Sequence, residues 1–177
     1  MRDSTPAARG HTLPGLLITL SLVAVLAMLS APEFSDLAAR ARLDSATDQL
    51  LGAIRHARQA AVARGQTVVI TATSAAWHNG WMTFVDTNGD GRRQSGEPRL
   101  ASAAALPASI RVSVNAGIGT ALHYRADGST RRPNGGLQMG TLSLCQRGAA
   151  PARRPARSMI INTAGRVRLE PAAASAC

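Results

Sequence analysis

An α+β fold, in which one long N-terminal helix lies on antiparallel β-sheet, follows from three features of the sequence. A run near the start carries no charge. A helical period continues from it as far as Gly65, and short β-branched segments then recur between Gly, Pro and Asn signals. With 177 residues the chain has room for one domain and an appended helix or tail.

The uncharged run extends from His11 to Ala31. Its stretch Leu13 to Ala31, 19 residues long, measures about 28 Å as a helix, enough to cross the hydrocarbon core of a bilayer. Pro14 suits a first helical turn, where a missing N–H costs nothing. A cleaved secretory signal is the rival reading. It fits poorly, because the run is long and Leu29-Ser30-Ala31 is a weak cleavage site with Pro32 directly after it. Beyond Pro32, Phe34, Leu37, Ala41, Leu50, Ile54, Ala57 and Ala61 recur mostly at three- and four-residue steps. The two segments therefore read as one helix, bent near Pro32 and capped by Gly65.

After Gly65 the period becomes extended. QTVVITATS (66–74), WMTFVD (81–86), SIRVSV (109–114), TLSLC (141–145), SMIIN (158–162) and RVRLE (166–170) read as strands. Only five residues are Phe, Trp or Tyr, so the core is small. Trp77, Trp81 and Phe84 are expected to anchor it rather than to form a base-stacking platform.

The stretch DTNGDGRRQSGE (86–97) matches the calcium loop pattern D-x-[DN]-x-[DN]-G-x₅-E, with Asp86, Asn88, Asp90 and Glu97 at ligand positions and Gly91 at the turn. Three observations favour a β-hairpin loop instead. A strand leads in, Pro98 blocks a following helix, and Arg92 and Arg93 would lie beside the cation. Asn-Gly and Asp-Gly supply the positive φ angles such a loop needs.

Charge points to a partner. All 20 cations are arginine against 10 acids, giving a net charge of +10, and an excess of that kind calls for nucleic acid, lipid headgroups or an acidic protein. From Arg125 onward there are nine arginines and two acids. QRGAAPARRPARS (146–158), with Arg153, Arg154 and Arg157, reads as a flexible loop. SMIINTAGRVRLE reads as a hairpin turning at 162–165, with Arg166 and Arg168 on one strand face. Clustered guanidinium groups bind phosphate in a salt-dependent, largely sequence-independent way. No G-x-S-x-G, H-E-x-x-H or Walker A sequence is present, and His11, His56, His78 and His123 are scattered, so no enzyme is expected and no cofactor is implied. Cys145 and Cys177 are too far apart for a CxxC motif. In an oxidising compartment they are expected to pair, stabilising by about 3–4 kcal/mol.

RGHTLPGLLITL (9–20) resembles the leader and N-methylation segment of type IV pilins and pseudopilins. The string from Trp77 through Asp86, Asn88, Asp90 and Gly91 to Leu100 resembles the hairpin signature of the FimT/GspH branch of minor pilins. Gly165-Arg166-Val167-Arg168 resembles a G-R-x-R element of FimT-like members, a group associated with DNA uptake in natural transformation. The resemblance implies a leader over 1–10, cut by a prepilin peptidase after Gly10 with methylation of His11. A transmembrane helix half over 11–31, an amphipathic half over 32–65 and a globular domain over 66–177 follow. It implies an inner-membrane, single-pass precursor with a periplasmic domain, incorporated with other minor or major pilins into a pilus or pseudopilus. Gly15 stands where the family pattern carries a glutamate that pairs with a neighbouring subunit's terminal amine, a contact a tip or accessory subunit need not make.

The expected function is a minor pilin that binds double-stranded DNA through Arg153, Arg154, Arg157, Gly165, Arg166 and Arg168 and supports DNA uptake. The alternatives are a structural minor pseudopilin of a type II secretion system with no nucleic-acid role, and a calcium-binding protein using the 86–97 loop.

Overall fold

The computed structural model describes residues 12–147 and 155–172, the side chains of 26–33 excepted. The leader with Gly10 and His11, as well as Arg153, Arg154 and Cys177, lies outside the described residues. The chain divides into two compact units, Met1–Ala38 and Ala39–Cys177.

One helix, α1 (Leu13–Arg64, 52 residues), runs through both units. Its apolar residues from Leu13 to Val25 are exposed. Among the described residues no helix is long and apolar enough to cross a membrane; residues 26–33, inside the expected 11–31 span and its bend, have side chains outside the described set. The helix stops where the sequence says it should. Gly65 adopts φ +63°, and the N–H groups of Gly65 and Gln66 donate to the carbonyls of Val62 and Ala61. This pair of bonds is a Schellman cap, which satisfies carbonyls the helix end would otherwise leave open.

Among the described residues eight strands follow in two antiparallel sheets: β1 (Val68–Ala72), β2 (Trp81–Val85), β3 (Arg99–Ala103), β4 (Ile110–Val114), β5 (Ala121–Tyr124), β6 (Gly140–Gln146), β7 (Ala156–Ile161) and β8 (Val167–Ala172). The first sheet has the order β3-β2-β1-β5 and the second β4-β6-β7-β8. Every expected strand is present; β3 and β5 are additional.

The core of the second unit joins the helix to both sheets. Leu43, Ala46, Leu50, Ile54, Ala57 and Ala61 pack with Val68, Ile70, Val85 and Leu122 from the first sheet and with Ile110, Leu142, Leu144, Met159 and Ile161 from the second. The register explains why each strand contributes alternate residues: Val68 faces Val85 and Tyr124, and Leu142 faces Val114 and Met159, so each row lies on one sheet face. Trp77, Trp81 and Phe84 are buried as core anchors; the Trp77 indole N–H donates to the Gly119 carbonyl at 2.9 Å. The residues of the expected apolar stripe lie on one helix but differ in burial. Phe34 and Leu37 are exposed, and burial begins at Leu43.

Candidate nucleic-acid interface

The turn that carries the G-R-x-R residues is built by Asn162. Its carbonyl accepts from Gly165 N–H at 2.9 Å, and its side-chain oxygen accepts from Arg166 N–H at 3.0 Å. Ile161 pairs with Val167, which leaves the hairpin register fixed on both sides of the loop. Gly165 has φ +72°, the left-handed residue that short hairpin loops place at this point. It also needs to lack a side chain. An added Cβ would overlap the Gly128 carbonyl oxygen and come within 2.9 Å of the Tyr124 ring.

Two residues fasten this turn to the body of the domain. Thr130, fully buried, donates its hydroxyl toward the carbonyls of Gln138 and Asn162, while its N–H donates to Thr163. Arg58 of α1 donates from Nε to the Gly128 carbonyl at 3.0 Å and from Nη2 to the Ala164 carbonyl at 3.3 Å. The helix thus clamps two turns with one guanidinium, whose rigid fork suits two acceptors. Tyr124 lies beneath, its hydroxyl buried without a hydrogen-bond partner among the described residues and its pKa pushed far up by burial.

The sequence-predicted arginines do not share one environment. Arg166 is exposed, and its side chain makes no hydrogen bond or ion pair among the described residues. Arg168 is exposed but lies 2.8 Å from the Glu170 carboxylate. Arg157 departs from expectation: it sits on β7 rather than in a loop, and its Nη2 reaches Asp44 of α1 at 3.0 Å. Its position follows from the register, since Arg157 pairs with Leu144 and Pro171 on the helix-facing side. Such half-exposed ion pairs stabilise by at most about 1 kcal/mol, yet they direct a cation toward the protein. Gly165 is buried and shapes the turn.

Two helix arginines that the sequence reading passed over adjoin the turn. Arg55, Arg58, Gln59, Gly165, Arg166 and Val167 line a cleft of about 420 Å³, with no carboxylate in its lining among the described residues. The available signal was position. Arg55 and Arg58 each follow a buried stripe residue, Ile54 and Ala57, where long cationic side chains emerge at the edge of a packed helix face.

The 86–97 segment connects β2 to β3 as a hairpin loop, flanked by strands where an EF-hand has helices. Its carboxylates hold the loop itself. Asp86 accepts from Gly89 and Gly91 N–H, Asp90 from Arg92 N–H and Gln94 Nε2, and Glu97 from Thr87 and Gln94 N–H. These donors, Gln94 first, hold the Glu97 carboxyl below its ordinary pKa. Asn88 accepts from Asp90 N–H. N–H dipoles aimed at the carboxylates occupy directions from which a cation would have to approach. Among the described residues no group of three or more His, Cys, Asp or Glu side chains is placed to hold a metal ion. His123, beside this loop, has its pKa lowered by burial and bonds Gln138 at 3.2 Å. Cys145 is buried on β6, while its expected partner Cys177 lies outside the described residues.

Comparison with known proteins places this architecture. The minor pilin FimU of the Pseudomonas aeruginosa type IV pilus superposes with a TM-score of 0.58 at 24% identity, covering 77% of this chain and 92% of that one. The minor pseudopilin EpsH of the Vibrio cholerae type 2 secretion system superposes with a TM-score of 0.53 at 13% identity, covering 73% and 97%. No curated protein sequence matches. At these identities the two structures establish the fold, a pilin fold with a long N-terminal helix on antiparallel sheets. The family described as type II transport protein GspH matches residues 46–165, about two-thirds of the chain. The chain therefore belongs to the GspH family, the structural and non-enzymatic minor pilins and pseudopilins of type IV pili and type II secretion systems.

Proposed function

We propose that this protein is a minor pilin of a type IV pilus whose arginine-rich C-terminal face captures double-stranded DNA for uptake. The precursor is held in the inner membrane by its N-terminal helix and cut by the prepilin peptidase between Gly10 and His11, with methylation of His11. It then joins other pilins, leaving its globular domain outside the membrane. Cys145 and Cys177 are joined in that oxidising compartment and tie the tail to β6. The observation that carries the reading is Arg166, exposed and with no side-chain partner among the described residues, at the foot of a turn held by Thr130 and Arg58. Arg168 stands two residues on, in a region with nine arginines and two acids from Arg125 onward. A guanidinium fixed in this way reaches a phosphate without first losing backbone freedom. Capture is electrostatic, with no chemistry performed, and retraction of the fibre moves the DNA.

The test uses the full-length protein in a non-ionic detergent, titrated with short duplex DNA at several salt concentrations. Affinity is expected to fall linearly on a log–log plot against salt, and Arg166→Gln/Arg168→Gln is expected to flatten that line. Absence of binding at low salt overturns the reading. It would favour the second one, which the GspH family match supports: a structural pseudopilin of a type II secretion filament whose arginines face protein partners.

A further inference from the structure

The geometry points to a composite phosphate seat in which α1 supplies half the grip: Arg55 on the helix and Arg166 on the β7–β8 turn flank the cleft and hold one stretch of the DNA backbone between them. The inference rests on the DNA-binding reading and adds residues that neither the turn motif nor the C-terminal charge contains. Arg55, Arg166, Arg58 and Gln59 line the cleft with the Gly165 backbone and Val167. Every charged group among them is a guanidinium.

The three arginines divide the work. Arg58 has two of its nitrogens bonded to the carbonyls of Gly128 and Ala164, so it is a positioning residue that sets the distance between helix and turn. Arg55 and Arg166 are exposed and make no hydrogen bond or ion pair among the described residues, so their forks are available. Arg157 and Arg168 differ, each having a carboxylate within 3.0 Å. A cleft with cations on both walls and no anion raises the local potential more than the same charges spread over a flat surface. Its volume, about 420 Å³, is ample for a phosphodiester with its flanking sugar. The neutral Gln59 amide offers a further donor on the helix side.

Arg55→Gln in the full-length protein tests this against Arg99→Gln, an exposed arginine on the edge strand β3 of the other sheet. Losing one phosphate contact lowers the log–log salt slope by about 0.9, which corresponds to about eightfold weaker binding at ~0.1 M salt. Arg55→Gln is expected to show that change with an unaltered unfolding midpoint, and Arg99→Gln is expected to leave slope and affinity as they were. If wild type binds DNA and Arg166→Gln weakens it while Arg55→Gln matches wild type, the composite seat is overturned and the DNA-binding reading stands. Equal losses in Arg55→Gln and Arg99→Gln also overturn the seat, because they would report net charge alone. If wild type fails to bind at low salt, both ideas fall together.

Discussion

Gly165 shows how a single residue can be legible in the sequence for an incomplete reason. Its place before Arg166 marks it as part of a motif, and its place after Asn162 marks it as a turn. The pressure on it comes from elsewhere in the chain: the Gly128 carbonyl occupies the space where a Cβ would sit. Gly65 supplies the comparison, since it shares the left-handed backbone (φ +63°) but has nothing within 4 Å of an added Cβ. Gly65→Ala is expected to cost about 1 kcal/mol from backbone strain alone. Gly165→Ala adds a clash with backbone to the same strain, and about 2–4 kcal/mol is expected. Urea denaturation followed by the fluorescence of the buried Trp77 and Trp81 measures both, and equal losses would remove the close-approach argument. Arg55 and Arg58 lie at the other end of legibility. Periodicity marks them as cations bordering the buried stripe but cannot say which distant turn the helix will meet, because the contacts of Arg58 span 70 and 106 residues.

At the scale of elements, the helix end and six of the strands could be read directly, since hydrophobic period and glycine caps are local properties. β3 and β5 could not. RLASA is mostly exposed and Ala-rich, and ALHY has only four residues, so neither shows the β-branched alternation that announces a strand. Both become strands through their neighbours: β3 pairs with β2 across the 86–98 connection, and β5 pairs with β1. The same connection shows why a motif match and a structure can diverge. The acidic residues that satisfy a calcium pattern also satisfy the N–H groups of a tight hairpin loop, which here has a strand on each side. Glu97 gives this a measurable form. It is buried, with one carboxylate oxygen facing Thr87 and the other facing Gln94. In Glu97→Gln only one oxygen remains an acceptor, so one part-buried N–H, of Thr87 or Gln94, loses its partner, at a cost of about 1 kcal/mol. The carboxyl pKa is lowered from 4.5 in the folded protein, chiefly by the Gln94 N–H. Its contribution is therefore full above that value and lost as pH falls through the folded pKa. Denaturation curves of the two proteins should accordingly differ at neutral pH and converge in acid; a constant gap would show that the charge is not what the loop uses.

Across the whole molecule, one helix serves two kinds of environment, and the apolar surface records where they change. From Leu13 to Val25, and again at Phe34 and Leu37, large apolar side chains are exposed, more than a soluble monomer carries without a partner. From Leu43 onward the apolar positions are buried in the core shared with both sheets. The sequence showed a single amphipathic stripe from Phe34 to Ala61, because periodicity reports which side of a helix is apolar and not what covers it. In a minor pilin or pseudopilin the uncovered part is available to lipid before assembly and to neighbouring subunits afterwards. The two units also make a prediction about folding. Among the described residues the core cluster contains nothing before Leu43, and the second unit begins at Ala39. A chain starting at Ala39 therefore retains every core residue, the Schellman cap, the Arg157–Asp44 pair and the Arg58 clamp. It is expected to stay in solution without detergent and to unfold cooperatively, with a tryptophan-monitored midpoint close to that of the full-length protein. A second truncation starting at Leu51 removes Leu43, Ala46 and Leu50 from the core. Loss of buried Leu costs about 2–5 kcal/mol per residue, comparable to the whole stability of a small domain, so this shorter chain should show no cooperative transition. If the chain from Ala39 also fails to unfold cooperatively, residues before it take part in holding the domain together, and the boundary at Leu43 is misplaced.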